Sequence, residues 1–220
     1  MKIGVLGTGI VGQTLGSKMI QLGHEVMMGS REEANIKATT WAKEEGPRAS
    51  FGTFANAAAF GEILFNCTLG SASLGALRHA GADNLRGKIL IDTANPIDYS
   101  DVHWMLTVCN NDSLGEQIQR TFPESKVVKT LNTMNCNIMV DPRKLPGQTD
   151  VFVSGNDIDA KATVIAILRD WFGWRSIIDL GDITTSRSVE MYVILWHTLR
   201  NTISSPRFNI KVVAAEPLHG

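Results

Sequence analysis

Cysteine is scarce in this sequence. Its three residues, Cys67, Cys109 and Cys136, are odd in number and far apart, which leaves neither a disulfide framework nor a C-x-x-C metal or redox motif. The expected compartment is therefore reducing and cytoplasmic. The five histidines include no H-E-x-x-H and no second ligand one helical turn away, so no metal site is expected. Neither sign of charge dominates. Lys and Arg number 21 against 22 Asp and Glu, a net charge of −1, which excludes the basic face that nucleic acid binding requires. Apolar runs stop well short of the roughly 20 residues of a membrane span, so no membrane partner is expected. The opening Met1-Lys2-Ile3-Gly4-Val5-Leu6 runs straight into Gly7-Thr8-Gly9 with no small-residue cleavage site. It reads as a buried first strand rather than a signal peptide.

What remains is an ordinary globular composition over 220 residues, enough for one full α/β domain and a small appendix. Short apolar runs at 2–7, 25–29, 49–53, 63–67, 88–93 and 126–131 predict six strands. Helical spacing separates them at 10–22, 32–45, 54–60, 73–80 and 113–122. Apolar rather than alternating strands argue for a parallel sheet covered on both faces, a Rossmann-type doubly wound α/β fold. The rhythm changes at Asn135–Thr149, where Asp141-Pro142 and Pro146-Gly147 mark a loop. The division expected is residues 1–133 for nucleotide binding and 134–220 for a small C-terminal α/β domain. Strands at 150–154, 176–180 and 208–213 are predicted there, with helices at 158–172 and 185–204. The stripe Val189, Tyr192, Val193, Trp196, Leu199 and Ile203 on the last helix reads as core.

Gly7-Thr8-Gly9-Ile10-Val11-Gly12 is a full G-x-G-x-x-G between a predicted strand and a predicted helix. Gly7 permits the tight turn. Gly9 lets backbone amides approach a pyrophosphate, and Gly12 lets the helix pack close to the strand. At the end of the second strand, where an NAD site places a carboxylate, the sequence has Gly29-Ser30-Arg31. A hydroxyl and a guanidinium attract a 2′-phosphate that a carboxylate would repel, so the cofactor expected is NADP(H). The other reading makes Ser30 a helix cap. The turns Thr68-Leu69-Gly70 and Ala94-Asn95-Pro96 belong beside the nicotinamide, because ligands sit outside the carboxyl ends of parallel strands. Thr133–Asn135 adds a further wall.

No acid–base or nucleophile set stands out, and no catalytic residue is assigned. Asp92 precedes a turn, His79 and His103 stand alone, and no Lys sits in an evident apolar helix stripe near a carboxylate. Carbonyl reduction usually needs a proton donor. Hydride exchange between nicotinamide and another conjugated ring does not.

These residues, with Val127-Val128-Lys129-Thr130-Leu131-Asn132-Thr133, Ser186-Arg187 followed by Glu190, and Phe208-Asn209-Ile210-Lys211-Val212-Val213, resemble the NADPH:F-420 (8-hydroxy-5-deazaflavin) oxidoreductase family over nearly the whole chain. The pattern is also similar to the cytosolic domain of the six-transmembrane metalloreductases, where NADPH reduces a flavin. The resemblance implies an oxidoreductase with deazaflavin (coenzyme F-420) or FMN/FAD as acceptor over the nicotinamide. It assigns the phosphate loop to Thr8–Val11 and the 2′-phosphate to Ser30 and Arg31. It puts Thr184–Glu190 near the acceptor, with Arg187 suited to an anion. A second basic residue that the family can carry after the Arg is not in register; Asn35 holds the place and Lys37 lies beyond. The partner expected is a small molecule or coenzyme, and a homodimer fits the pattern. Two rivals stay open: a reductase of small imines or carbonyls, and an NADP(H)-sensing module without catalysis.

Overall fold

The computed structural model describes residues 1–100 and 104–215. His103 lies outside them. Strands and helices alternate from the start: β1 (Lys2–Leu6), α1 (Ile10–Gln21), β2 (Glu25–Ser30), α2 (Ile36–Glu45), β3 (Ala49–Thr53), α3 (Phe54–Phe60), β4 (Ile63–Asn66), α4 (Gly70–Ala80), α5 (Ala82–Leu85) and β5 (Ile89–Asp92). A small hairpin of β6 (Ile97–Asp98) and β7 (Met105–Leu106) precedes α6 (Leu114–Thr121) and β8 (Lys126–Thr130). The chain continues through α7 (Cys136–Met139), β9 (Val151–Gly155), α8 (Ile158–Asp170), β10 (Ile177–Gly181) and α9 (Ser186–Ile203).

One eight-stranded sheet results, in the order β10-β9-β8-β5-β4-β1-β2-β3. From β3 to β8 it is parallel and follows the doubly wound order of a Rossmann fold. Because β1 pairs with both β2 and β4, the sheet reverses direction at β1, and a crevice opens at that strand's carboxyl end. β9 lies antiparallel to β8, and β10 parallel to β9, so the C-terminal strands extend the same sheet.

The parallel strands are apolar because both faces are covered. On one face Leu15 and Met19 of α1, Trp41 of α2 and Val164 and Ile167 of α8 pack against Ile3, Val5, Phe65 and Val128. On the other, Ala57 of α3, Leu77 of α4, Leu85 of α5 and Ile118 of α6 pack against Leu6, Leu64 and Leu90. Each fully buried large side chain contributes roughly 1.5–3 kcal/mol.

Several elements differ from the sequence expectation. α2 begins at Ile36 rather than Glu32, because Asn35 is the residue that caps it: its Oδ1 accepts from Lys37 N at 3.1 Å and Ala38 N at 3.3 Å. Ser30 caps nothing; its hydroxyl donates to Glu32 O inside the turn. α4 begins at Gly70, ahead of the expected Ser73. The strand expected at 208–213 does not form. That segment is held by Asp150, whose Oδ2 accepts from Val212 N at 2.6 Å and whose Oδ1 meets Lys211 Nζ at 2.7 Å. A buried carboxylate thus takes one backbone donor, Val212 N, that a sheet ladder would have used. On α9, Val189 and Val193 are buried as expected, but Ile203 is exposed and Trp196 is only half-buried.

Candidate functional site

The crevice at the carboxyl end of β1 is a cavity of about 940 Å³. Gly7, Thr8, Gly9, Ile10 and Val11 line one end together with Arg31 and Lys37. Gly7 takes φ +121°, a value L side chains rarely adopt, and turns the chain from β1 into α1. A Cβ on Gly12 would lie 2.2 Å from Gly7 O, so only glycine lets the helix start so close to the strand. A Cβ on Gly9 would meet nothing within 4 Å, since it faces open space.

Most longer helices here close their N-termini with a side chain: Asn35, Thr53, Ser113 and Asp157 cap α2, α3, α6 and α8. Three others, α1, α4 and α9, do not, and of these α1 and α4 start at the cavity. Gly9 stands before α1 and Leu69 before α4, and neither supplies a side-chain cap. The first amide of α1 to reach a carbonyl is Gln13 N, donating to Gly9 O at 3.0 Å. Amides left free at a helix start are donors for an anion, with the helix dipole adding to them. Arg31 and Lys37, both exposed beside them, supply two cations. This donor set fits a nucleotide diphosphate carrying one further phosphate.

Of the residues expected at the cofactor site, Gly7, Thr8, Gly9, Ile10, Val11, Arg31, Thr68, Leu69, Gly70, Ala94 and Asn95 line the cavity, whereas Gly12, Ser30 and Pro96 do not. Gly12 and Ser30 shape the turns behind it. Pro96 O is spent on Thr107 N at 2.8 Å, at the base of the hairpin.

The far end is walled by Ile97, Tyr99, Trp104, Met134, Met139, Val193 and Trp196. Its aromatic side chains form a ladder. Trp104 stacks on His197 at 4.1 Å and on Trp196 at 6.3 Å, Tyr99 meets Trp104 edge-on at 5.5 Å, and Phe208 stacks behind Trp196 at 5.6 Å. The indole Nε1 of Trp196 is buried without a partner among the described residues. Burial raises the Tyr99 phenol above its ordinary value.

Behind the floor lies a charge cluster that periodicity did not reveal. Lys129 on β8 is wholly buried. Its Nζ sits 2.5 Å from Asp92 Oδ2 and 2.8 Å from Glu190 Oε1, and donates to Ala94 O at 2.8 Å. Asp92 Oδ1 accepts from Asn66 Nδ2 at 2.8 Å and Ala94 N at 3.2 Å. Glu190 accepts from Leu114 N at 2.8 Å and Gly115 N at 3.0 Å, the free amides at the start of α6. Burial works against the Lys129 charge, but the two carboxylates outweigh it and hold the ammonium above its usual range. Burial pushes the Glu190 carboxyl upward, with Lys129 pulling back.

The placement of Arg187 corrects the expectation that Thr184–Glu190 faces an acceptor. Its guanidinium forks onto Glu116, Nε donating to Oε2 at 2.8 Å and Nη2 to Oε1 at 2.5 Å. Glu190 points into the protein. The polar groups at the start of α9 bind α6, and it is Val193 and Trp196, further along the helix, that reach the cavity. Sequence order hid this, because the partners lie more than 70 positions apart.

Among the described residues no helix is long and apolar enough to cross a membrane, and no three His, Cys, Asp or Glu side chains are grouped to hold a metal ion. The family model for coenzyme F420-dependent NADP oxidoreductases matches residues 2–96. The chain is 28% identical to the F420-dependent NADP reductase of Methanocaldococcus jannaschii over 98% of its own length and the whole of that protein. It is 29% identical to the rat metalloreductase STEAP3 over 86% of its length, and there spans only 36% of the larger protein. A candidate F420-dependent NADP reductase from Arthrobacter sp. FB24, solved at 1.70 Å, superposes with a TM-score of 0.92 at 48% identity, covering 97% of this chain and 100% of that one. With so much identity along the full length of a solved relative, and with the nucleotide half matched by the family model, this chain belongs to the family of coenzyme F420-dependent NADP oxidoreductases.

Proposed function

We propose that this protein binds NADP(H) along the cavity and exchanges hydride between it and a deazaflavin or flavin ring. The observation that carries the reading is the continuity of a single cavity. It runs from uncapped helix amides with Arg31 and Lys37 at one end to a stacked aromatic wall at the other. Bound NADPH would supply hydride from its nicotinamide C4. The residues bind, orient and exclude water. The amides at the start of α1 hold the diphosphate, Arg31 holds the 2′-phosphate, and the Ala94–Asn95 turn floors the nicotinamide. Trp104, Val193 and Trp196 cover a planar acceptor. The segment from residue 134 onward serves as the cover. Such positioning alone removes several kcal/mol from a barrier.

Tyr99 favours a second reading. It is a side chain at the acceptor end able to give up a proton, as the reduction of an imine or carbonyl requires. The test uses NADPH deuterated at C4 in anaerobic stopped-flow, with deazaflavin, FMN and FAD offered separately. Deuterium on the reduced deazaflavin, with a rate unchanged in Tyr99→Phe, supports the ring-acceptor reading. Reduction of a small imine or carbonyl alone, lost in Tyr99→Phe, overturns it.

A further inference from the structure

Two polar bridges tie the cavity floor to the wall opposite. The first is Asn132. Its Nδ2 donates to Val189 O on α9 at 3.0 Å and to Asn95 Oδ1 at 2.8 Å, while Asn95 Nδ2 donates back to Asn132 O at 2.8 Å. The second is Lys129, which joins Ala94 O to Glu190 on α9. Ala94, Asn95 and Asn132 itself line the floor, and Val193, one helical turn beyond Val189 and Glu190, lines the wall. Both ends of each bridge are thus within a turn of a cavity-lining residue, and Lys129, Asn132 and Glu190 are all buried.

The backbone supports the same point. Leu131, directly before Asn132, is bulky, buried and held at φ +62°, in the left-handed region. Side chains of that kind seldom enter the region, and the surrounding structure must enforce it. What the unusual turn achieves is to bring Asn132 off the end of β8 and beneath α9.

We infer that Asn132 and Lys129 are positioning residues, which fix the separation of the nicotinamide floor from the acceptor wall and couple nucleotide binding to α9. The inference rests on the reading that the nicotinamide lies on the Ala94–Asn95 turn. Neither bridge transfers hydride or a proton. Each sets the distance over which hydride passes, and small misplacements of reacting atoms cost rate steeply.

The test compares the full-length protein with Asn132→Ala, which cuts the first bridge, and Glu190→Gln, which disturbs the second while keeping shape. NADPH affinity is measured first by fluorescence titration. Hydrogen–deuterium exchange of residues 189–196 is then followed with and without NADPH, a readout that needs no acceptor. The expected result is NADPH affinity within about threefold of the parent, with NADPH-induced protection of 189–196 present in the parent and largely lost in Asn132→Ala. Single-turnover reduction of whichever ring the parent accepts should fall roughly ten- to a hundredfold. Equal protection in parent and variants would overturn the coupling, even if the acceptor proposed above were also wrong. A rate loss matched by an equal loss of NADPH affinity would make Asn132 an ordinary nucleotide contact. If Asn132→Ala does not fold, Glu190→Gln carries the same comparison.

Discussion

Two helix N-terminal ends, that of α1 at the cavity and that of α6 behind its floor, handle polar groups in opposite ways. At the start of α1 the backbone donors are left unspent, Gly9 faces open space, and two exposed cations stand beside them. At the start of α6 nothing is left unspent. Ser113 caps the helix, Glu190 takes the amides of Leu114 and Gly115, and Arg187 forks onto Glu116. Two helix starts with the same intrinsic need for an anion are thus served differently, one open to a ligand and one closed by a buried carboxylate from α9. The difference accords with the proposal that α1 serves binding while α6 serves assembly. It also assigns each end its own vulnerability. The closed end depends on buried charges that must all be present, and the open end on glycines and on charge at the rim.

The largest effect is expected at the closed end. Lys129→Met leaves Asp92 and Glu190 buried without their cation, and removing one partner of a buried ion pair costs about 3–5 kcal/mol. A thermal melt should show it plainly. A variant as stable as the parent would mean that the amide donors around Asp92 and Glu190 suffice, and the distinction between the two ends would weaken.

At the open end two glycines should separate. In Gly12→Ala the new Cβ collides with Gly7 O, and such overpacking costs about 1–3 kcal/mol while also displacing the phosphate loop. In Gly9→Ala the Cβ enters open space, so the melting temperature should hold while NADPH affinity falls. Melting and nucleotide titration run on both variants test this. A stability loss in Gly9→Ala would show that the position belongs to the packed structure.

Arg31 comes next. Arg31→Ala should weaken NADPH roughly ten- to a hundredfold, from a charge-assisted contact of about 1.5–3 kcal/mol, and leave NADH nearly unchanged. Lys37→Ala should show the same selectivity to a smaller degree, since it borders the same cavity from the first turn of α2. Equal losses for both nucleotides would place these cations elsewhere on the ligand.

How far each end could be read from sequence follows the same divide. The open end is made of backbone and consecutive residues, so G-x-G-x-x-G and Gly29-Ser30-Arg31 mark its position in the chain directly, and the apolar strands mark the sheet. The closed end is made of contacts between distant positions. Lys129 belongs to an apolar strand and Glu190 to the last helix, and nothing in either local pattern connects them. Arg187 is misread for the same reason, since its partner Glu116 is on another helix. Trp196 fits a core stripe by spacing, yet the stripe's far end is exposed and the indole borders the cavity. Residues 208–213 have strand composition, but the local pattern cannot show that Asp150 captures them.

The smallest effect is an acid limb at the closed end. Arg120 grips Asp112 with Nη1 on Oδ1 at 2.9 Å and Nη2 on Oδ2 at 2.8 Å, and its hydrogen bonds hold the carboxyl down at about 2, from an ordinary value near 3.8. Arg187 likewise holds Glu116 below its ordinary value. A carboxylate depressed in the folded state contributes stability that is complete above its unfolded value and is lost as pH falls through the folded one. For Asp112 the window is therefore about pH 4 down to about pH 2. Arg120 is well exposed, so solvent screening keeps the contribution below about 1 kcal/mol. Asp112→Asn should lower stability only slightly at pH 7 and flatten its decline between pH 4 and 2. Hydrogen exchange at pH 3 should show α6 and the start of α9 loosening while α1 stays protected, because no carboxylate caps α1. An acid slope unchanged in Asp112→Asn, or loosening that begins at α1, would break the division between an end held by charge and an end held by glycine and backbone.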